Sequence, residues 1–517
     1  MHYSPTNYGR VLLAMAAVMS FAYATAWAVP TLYVVEVTAP SREALAPLLE
    51  MPYIISNVRD NTATLYLSPE EYERVCAMGF KTRLIETQPD PSGASEKSTG
   101  YTTYDEIGPL LAGWEVTYPN LCQVSSLGRS VNGRELWTIK ITREPGLPAD
   151  KPAVKYVSTL HGDEPVGTEM CLYFAEELLT GYESDAYIRD LLARTVIWLV
   201  PLANPDGHVS YTRVNANGWD LNRSFPTYSV DYLETWFDTG ELGDAERQPE
   251  VALLMQWHAA VPGALAANFH TGALVANYPY DNDPGIPSGA EAPSPDDDVF
   301  QYISLEYATR NQPMYNSPVF PQGIVNGSRW YSITGGMMDW NYRFLGCPEV
   351  TFELSNIKKP NWTYLPQLWL ENRDAMYAYA ETAHLGIRGL VLDRNTGEAL
   401  WAKVRVAERD QPVFTAPRVG NYHRLLLPGT YNLVYEAPEY ITYYRDGIPV
   451  QEGPAVRVNV TLSDGDLNYD GSVNSRDAQC AVDAVLGRKV TYDADVDGRG
   501  LPATDIQAVI NKGESRQ

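Results

Sequence analysis

The sequence predicts an α/β protein with a mixed central sheet flanked by helices, followed by a small β-sandwich and a small helical module. Near-continuous apolar runs, AVKYVSTL and TVIWLVPL, are typical of strands that are covered on both faces. Segments with helical spacing, GTEMCLYFAEELLTG and PEVALLMQWHAAV, alternate with such runs. Beyond residue 385, apolar and polar residues alternate along short segments separated by turn residues, which predicts the β-sandwich.

Length and charge limit the possible functions. A chain of 517 residues is too long for one hydrophobic core and favours about three or four domains. The formal net charge of −25 argues against nucleic acid and anionic membranes as partners. Five cysteines without a C-x-x-C pair predict neither a disulfide framework nor a thiolate zinc site, and they leave one or two bridges open.

Residues 1–28 predict a signal peptide. An apolar stretch follows Arg10, and Ala26-Trp27-Ala28 has the small-x-small pattern of a cleavage site. A membrane anchor is the alternative, but the run is short for a span and contains polar residues. We therefore expect cleavage after Ala28 and an exported, extracellular protein, with no membrane span in the rest of the chain.

Changes in pattern set the other boundaries. Residues 29–87 predict a small α+β domain, with strands in TLYVVEV, ATLYLS and KTRLIE and helices in REALAPLLE and PEEYERVCAMG. This domain could be a pro-segment or a permanent part of the protein, and the sequence leaves both open. Residues 88–100 are a Pro/Gly/Ser-rich linker, 101–385 the main α/β domain, 386–463 the β-sandwich and 464–517 the helical module.

Three predicted strand ends carry side chains that bind metals. His161 and Glu164 follow AVKYVSTL, His270 ends ALAANFH, and Glu353 lies near the end of PEVTFELS. Ligands of open α/β sheets bind beyond the carboxyl ends of strands, so these side chains could meet. Two histidines and a glutamate are a ligand set of catalytic zinc. The H-x-x-E spacing also recurs by chance, so ordinary loop residues are the alternative.

The loop RVNANGWDLNRSFP supplies Arg213, Asn222 and Arg223. Arginines beside a metal would suit a substrate that ends in a carboxylate and a developing oxyanion. Exposed loop arginines are an equally acceptable interpretation of this loop alone.

Six motifs in order resemble zinc metallocarboxypeptidases of peptidase family M14, specifically the subfamily with carboxypeptidases N, E and D. They are HGDEPVG, LVPLANPDG, RVNANGWDLNRSFP, NFHTGALVANYPYD, NGSRWYSITGGMMDWNY and CPEVTFELS. Those relatives carry a transthyretin-like β-sandwich after the catalytic domain, which matches residues 386–463. The resemblance implies the zinc carboxypeptidase fold and one catalytic zinc ion.

The resemblance assigns the residues of the metal centre. His161, Glu164 and His270 match the zinc ligands, and Asp220 matches the carboxylate that orients the first histidine. Glu353 matches the general base, which takes a proton from the attacking water.

Four further residues match positions that contact the substrate. Arg213 matches the residue that polarises the scissile carbonyl. Asn222, Arg223 and Tyr331, which we call the carboxylate clamp, match the residues that hold the terminal carboxylate of the substrate. An internal peptide bond has no such charge, so the clamp would restrict cleavage to the last residue.

The resemblance also implies a preference for C-terminal lysine or arginine. Asp281 aligns with the aspartate that basic-specific relatives use to pair with these side chains. Met338 stands where those relatives usually have glutamine, which removes one polar contact but leaves the charge. We therefore expect a basic preference that is less stringent. A solvated loop acid is the alternative for Asp281.

The expected function is a secreted, zinc-dependent carboxypeptidase that acts on peptides or proteins with a free C-terminus. A peptidase that trims cell-wall peptides is one alternative, because the terminal diamino acid of its substrate offers similar charges. A non-catalytic binding protein attached to a scaffold is the other.

The C-terminal module predicts a calcium loop. DLNYDGSVNSRD places Asp466, Asn468, Asp470 and Asp477 at loop positions 1, 3, 5 and 12, with Gly471 at the sharp turn. An acidic solvated tail is the alternative, which the spacing and the following helical segment disfavour.

A second copy of this loop departs from the pattern. It contains Asp495 and Asp497, but Arg499 stands where a ligand is expected and the loop is one residue short. Paired loops of this kind resemble a dockerin, the module that binds cohesin domains of extracellular, polysaccharide-degrading scaffolds. The departure leaves a second calcium ion and the cohesin partner open.

Overall fold

A computed structural model describes residues 32–49, 51, 53–88, 100–227, 247–488, 495–500 and 502–515. The predicted signal peptide and nearly all of the predicted linker lie outside these residues. None of the helices in the described ranges is long and apolar enough to cross a membrane.

The first described residues form a small antiparallel sheet with two helices. Its elements are β1 (Leu32–Thr38), α1 (Ala46–Leu49), β2 (Ile54–Arg59), β3 (Thr62–Leu67), α2 (Pro69–Ala77) and β4 (Lys81–Gln88). The strand order is β2-β3-β1-β4, and we call this unit the N-terminal sheet. Sequence patterns missed β2, because its apolar alternation is broken at Ser56 and Asn57, where the ladder with β3 carries a bulge.

The main domain contains an eight-stranded mixed sheet, as the sequence predicts. Its strands are β5 (Cys122–Arg129), β6 (Glu135–Ile141), β7 (Ala153–Ser158), β8 (Val196–Val200), β9 (Leu265–His270), β10 (Leu274–Tyr278), β11 (Ile324–Asn326) and β12 (Glu349–Leu354). The order is β11-β10-β12-β9-β7-β8-β6-β5. The four central strands β12, β9, β7 and β8 run parallel, so their carboxyl ends meet at one edge.

Helices cover both faces of this sheet. They are α3 (Tyr104–Thr117), α4 (Val166–Gly181), α5 (Ala186–Arg194), α6 (Pro205–Ser210), α7 (Pro249–Ala260), α8 (Asp297–Ala308), α9 (Gln312–Tyr315), α10 (Gly327–Trp330), α11 (Met337–Leu345) and α12 (Leu365–Glu381). Every residue of β7, β9 and β12 is buried, which agrees with the apolar run that contains β7. Tyr156 and Phe174 belong to the core on one face, and Val157 and Trp340 to the core on the other.

Two four-stranded sheets follow and enclose a common core. Their strands are β13 (Ile387–Asp393), β14 (Lys403–Val406), β15 (Pro412–Phe414), β16 (Asn421–Arg424), β17 (Gly429–Glu436), β18 (Tyr443–Val450), β19 (Val456–Arg457) and β20 (Val460–Leu462). The predicted strand HRLLLPG ends early at Arg424, because Leu425 leaves the sheet and enters the core of the main domain. We call this unit the C-terminal sandwich. Helices α13 (Ser475–Val485) and α14 (Pro502–Ser515) follow it.

Candidate active site and metal centre

The predicted ligands meet at the carboxyl edge of the central sheet. His161 and Glu164 lie in the loop between β7 and α4, and His270 ends the neighbouring strand β9. This loop depends on Gly162, because a Cβ atom there would lie 2.0 Å from the carbonyl carbon of Gly207. The HGDE and NPDG motifs are therefore packed directly against each other.

The ligand atoms converge on one point. His161, Glu164 and His270 are buried, and each offers a ligand atom within 4.8 Å of the others. The Nδ1 atoms of the two histidines are 2.9 Å apart, and the Glu164 oxygens lie 3.1 and 2.8 Å from them. Burial and the neighbouring His161 lower the pKa of His270 to about 4, so its ring is neutral near pH 7, as metal binding requires. This donor set fits zinc.

Two buried residues that pair with each other, Asp220 and Arg213, contact the ligands His161 and Glu164. Asp220 accepts from Arg213 Nε at 2.9 Å, and its other oxygen lies 3.1 Å from His161 Nε2. Arg213 also reaches Glu164 Oε1 at 3.5 Å. Burial alone would raise the pKa of Asp220, but Arg213 and His161 hold it well below its usual range. A permanently ionised Asp220 therefore fixes the orientation of His161.

Glu353 lies beside the convergence point. It pairs in register with His270 across β12 and β9. Its Oε2 atom is buried and has no hydrogen-bond partner among the described residues. Burial raises the pKa of Glu353 to about 8, and the nearby Glu164 acts in the same direction. A buried carboxylate oxygen without a partner is costly for folding alone and is typical of a functional group.

The residues of the carboxylate clamp adjoin the metal centre. Asn222 Nδ2 is 3.4 Å from His270 Nε2. Arg223 donates to the carbonyl oxygens of Asn222 and Ile55, and the hydroxyl of Tyr331 donates to the carbonyl oxygen of Ser56 at 3.1 Å. Two of the three clamp residues therefore contact the N-terminal sheet, which sequence patterns did not predict.

Asp281 is buried, so its interpretation as a solvated loop acid is wrong. Asn277 Nδ2 donates to Asp281 Oδ1 at 2.8 Å. Asp339 accepts from the main-chain N–H groups of residues 281 and 282, both at 3.0 Å, and so fixes this turn. A Cβ atom at Gly336 would lie 3.5 Å from Asp281 Oδ2 and 3.7 Å from Asn222 Oδ1, so the aspartate adjoins the clamp. Burial raises the pKa of Asp281 to about 6.

Met338 and Thr351 line the same region. Met338 is buried, and its sulfur accepts from the Thr351 hydroxyl at 3.6 Å. Thr351 pairs across the sheet with Asn277, the residue that holds Asp281. Met338 is therefore linked to the buried aspartate through Thr351 and Asn277.

Sequence patterns missed Lys358, which lies in the loop after β12. Its ammonium group is 2.9 Å from Glu164 Oε1 and 3.2 Å from Asp163 Oδ2. Burial alone would raise the pKa of Glu164, but Lys358 and His161 keep it well below its usual range. The position of Lys358 just beyond a strand that ends in the site was the available signal.

The two C-terminal loops repeat one pattern of contacts. Asp477 accepts from the main-chain N–H groups of residues 467 and 468, and Asp505 accepts from those of residues 496 and 497. In the described part of the chain, only the second loop gathers three carboxylates within 4.8 Å, from Asp495, Asp497 and Asp505. Arg499 instead stacks on Tyr444 of the C-terminal sandwich, with its guanidinium 3.5 Å from the ring centre.

Comparisons with known proteins agree with this geometry. The family model "Zinc carboxypeptidase" matches residues 110–375. Carboxypeptidase D of Mus musculus is 39% identical over 376 residues, which cover 68% of this chain and 26% of that protein. Carboxypeptidase M of Mus musculus is 36% identical over 351 residues, which cover 63% of this chain and 75% of that protein. The match thus spans only 26% of the length of mouse carboxypeptidase D.

A solved structure shares the fold. The crystal structure of carboxypeptidase A from Helicoverpa armigera superposes with a TM-score of 0.53 and 19% sequence identity, covering 69% of this chain and 98% of that one. At this identity the similarity concerns the fold alone. The family match, the identity to the mouse relatives and the donor set at the sheet edge lead to one conclusion: the chain belongs to the zinc carboxypeptidase family.

Proposed function

We propose that this protein is a secreted, zinc-dependent carboxypeptidase that removes C-terminal residues, preferentially lysine and arginine, from peptides or proteins. The convergence of His161, Glu164 and His270 beside the unpaired Oε2 atom of Glu353 carries the proposal. Every part that the chemistry needs lies within or beside this cluster.

The three ligands would hold zinc and leave one coordination position open. Zinc, when bound, supplies Lewis acidity, which acidifies a water molecule and polarises the scissile carbonyl. Asp220 keeps His161 in the required orientation through its bond to Nε2. The ammonium group of Lys358, 2.9 Å from Glu164 Oε1, offsets part of the negative charge of that carboxylate.

Glu353 acts as the general base and then as the general acid. Burial raises the pKa of Glu353, but the positive charge of a zinc ion held beside it would favour its ionised form. The ionised Oε2 takes a proton from the attacking water and returns it to the leaving amine. The guanidinium of Arg213 stabilises negative charge on the carbonyl oxygen as the tetrahedral species forms. Arg213 is held for this role by Asp220, because the Nε–Oδ2 bond of 2.9 Å fixes its side chain.

Substrate selection uses the two charged regions beside the metal centre. Asn222, Arg223 and Tyr331 bind the terminal carboxylate, which restricts the enzyme to the last residue. Asp281 pairs with the basic side chain of that residue, because a buried carboxylate favours a cation strongly. Met338 packs along the aliphatic part of the same side chain.

The experiment is a comparison of matched peptides that end in arginine, lysine, leucine or phenylalanine, with a cell-wall peptide ending in a diamino acid as a fifth substrate. We expect zinc-loaded protein to prefer arginine and lysine, and Asp281→Ala to lose that preference. Asp283→Ala, which removes a less buried acid paired with Arg343, is the matched control and should keep it.

Five results would contradict the proposal in whole or in part. A preference of the wild type for leucine or phenylalanine, or an unchanged preference in Asp281→Ala, would remove Asp281 as the selecting residue. Hydrolysis that persists in a zinc chelator would remove the metal. Faster cleavage of the wall peptide would favour the cell-wall function, and no hydrolysis of any peptide would favour a non-catalytic binding protein.

The proposal for the C-terminal module is calcium binding and attachment to a cohesin-bearing scaffold. Asp466, Asn468, Asp470 and Asp477 have calcium-loop spacing, and the repeated contacts of Asp477 and Asp505 support two related loops. Calorimetry on the full chain tests it. Asp466→Ala should remove one calcium ion, and an unchanged calcium stoichiometry would contradict the first loop as the site.

A further inference from the structure

Three basic side chains lie in one row across a sheet of the C-terminal sandwich. Arg388 on β13 is in register with His423 on β16 on one side and with Arg457 on β19 on the other. The residue that precedes each of them belongs to, or packs against, the sandwich core: Ile387, Tyr422 and Val456. Successive side chains of a strand point to opposite faces, so the three basic side chains share the face that points away from that core.

This face meets the main domain. The carbonyl oxygen of His384, a residue just after α12, accepts from a main-chain N–H beside β19 at 2.7 Å. Arg457 forms an ion pair with Asp150 of the main domain. His384, Arg388 and His423 are each partly buried. We call the region formed by these three residues and Arg457 the interdomain seam.

The seam contains a cation without a counter-charge. Two nearby acids are already paired with arginines, because Asp150 pairs with Arg457 and both carboxylate oxygens of Glu381 accept from Arg194, at 2.6 and 2.8 Å. The side chain of Arg388, by contrast, has no hydrogen bond or ion pair with any residue in the described ranges. Like charges side by side in a sheet repel each other, so the neighbouring Arg457 makes this position less favourable still.

The histidines of the seam respond to the same excess of positive charge. Burial and Arg388 lower the pKa of His423 to about 3, and His384 and Arg457 act in the same direction. Burial also lowers the pKa of His384 to about 4, and Arg194 and Arg388 add to this effect against the opposing effect of two acids. An anion at the seam would remove the repulsion that keeps these rings neutral.

The donors of the seam suit an oxyanion. Asn421 Nδ2 donates to His423 Nε2 at 3.1 Å, which places the ring proton of neutral His423 on Nδ1. Arginine presents its N–H donors in a planar fork that matches the oxygens of phosphate or sulfate. We propose that Arg388 and His423, with Arg457 beside them, bind a small dianionic oxyanion such as sulfate or phosphate at the interdomain seam. The ion would offset the positive charge between the two domains and so stabilise their contact.

Resonances of the histidine ring carbons in the zinc-loaded full chain test the site, with sulfate as the probe. At about pH 5.5 we expect the ring of His423, assigned through His423→Gln, to be neutral without sulfate and to become protonated in a saturable way as sulfate replaces chloride at constant ionic strength. Arg388→Ala should weaken sulfate binding about tenfold or more, because a hydrogen bond between charged groups is lost. Arg405→Ala, a change to a partly exposed arginine of the same sandwich, is the matched control and should keep the affinity of the wild type.

The outcomes separate the possible sources of the anion. A His423 ring that does not respond to sulfate, or equal sulfate affinity in wild type and Arg388→Ala, would overturn the proposal. A response to dextran sulfate without a response to inorganic sulfate would also overturn it, because the group would then belong to a polymer and not to a small ion. Arg388→Lys keeps the charge without the planar fork and should bind sulfate with intermediate affinity.

Thermal unfolding gives a second readout. Sulfate should raise the midpoint of the wild type more than that of Arg388→Ala at equal ionic strength, because an ion that binds only the folded chain stabilises it. Sulfate also stabilises folded proteins in general, so the difference between the two proteins is the quantity of interest. Equal increments in both proteins would contradict a specific site at Arg388.

Discussion

The main domain has two neighbours, and they are attached in different ways. The N-terminal sheet contacts the functional side chains themselves, through main-chain carbonyls, Tyr66 and Gln88. The C-terminal sandwich is attached through a buried ion pair, in which Arg424 Nη2 donates to Asp296 Oδ1 at 2.7 Å, and neither residue belongs to the candidate site.

This difference separates two roles for a domain interface. Asp296 also accepts hydrogen bonds from Arg409 and from the Tyr342 hydroxyl. Arg424 holds the pKa of Asp296 below its usual range, although burial acts in the other direction. Such a network holds two domains together. The acceptors of Arg223 are neutral carbonyl oxygens, and hydrogen bonds to them are weaker than bonds to a carboxylate. We therefore expect changes at one interface to affect stability and changes at the other to affect substrate binding.

The largest expected effect is on kcat and concerns Glu353, which belongs to neither interface. Glu353→Gln should lower kcat about a hundredfold to ten-thousandfold, because the amide cannot take the proton in the transition state. Zinc content per chain should not change. Glu349→Gln is the matched control on the same strand, since Glu349 bonds to Asn268 and Asn341 instead. Retained turnover in metal-loaded Glu353→Gln would reject its assignment.

Substitutions at the interface with the C-terminal sandwich should change the free energy of unfolding and leave KM unchanged. Arg424→Ala removes one of the two arginines that pair with the buried Asp296, while Arg409 and the Tyr342 hydroxyl remain, and should lower the free energy of unfolding by about 1–3 kcal/mol. Arg405→Ala, which breaks a partly exposed pair with Glu436, should cost about 1 kcal/mol or less. Denaturant titration measures both. A change of KM in Arg424→Ala at temperatures where it is folded would show that the two interfaces are not independent.

Loss of the charge on Asp220, which orients a zinc ligand, should weaken zinc binding less than loss of a ligand itself. Asp220→Asn should weaken zinc binding about tenfold to a hundredfold, because His161 loses the charge that orients it. His270→Ala should abolish stoichiometric zinc. Competition with a chelator of known affinity measures both, and equal zinc affinity in Asp220→Asn and wild type would contradict the role of Asp220.

The smallest expected effect is a pH dependence of selectivity. Burial raises the pKa of Asp281 to about 6, so this carboxyl is charged above that pH and progressively neutral below it. Asp339 and Arg223 are the charged or titratable groups that act on it. The ratio of KM for leucine-terminated to arginine-terminated peptides should therefore fall between pH 7 and pH 5. A ratio that is constant over this range would indicate that another group selects the substrate.

Sequence patterns predicted the candidate site better than its contacts with the N-terminal sheet, for a physical reason. His161, Glu164, His270 and Glu353 act through specific side chains, and their placement at strand ends follows from the apolar runs that precede them. The contacts of this sheet with Arg223 and Tyr331 involve carbonyl groups of β2, which any residue can supply. That strand was missed because a bulge interrupts the alternation at Ser56.

Sequence patterns also could not predict the side-chain contacts between domains. Tyr66 is a buried tyrosine on an ordinary strand, and Arg424 lies in a segment that resembles any half-buried strand. Their partners, Asp163 and Asp296, are about a hundred or more residues distant in the chain. Only the fold brings these pairs together. The repeated contacts of Asp477 and Asp505, by contrast, lie within short segments of the chain, where sequence spacing can indicate them.

The mass of a peptide ending in arginine, after incubation with the zinc-loaded protein, tests the central claim most directly. The account predicts a product shorter by one arginine, no internal fragments, and no product from the Glu353→Gln variant. Internal cleavage, or the same product from the Glu353→Gln variant, would contradict a carboxypeptidase centre built on His161, Glu164, His270 and Glu353.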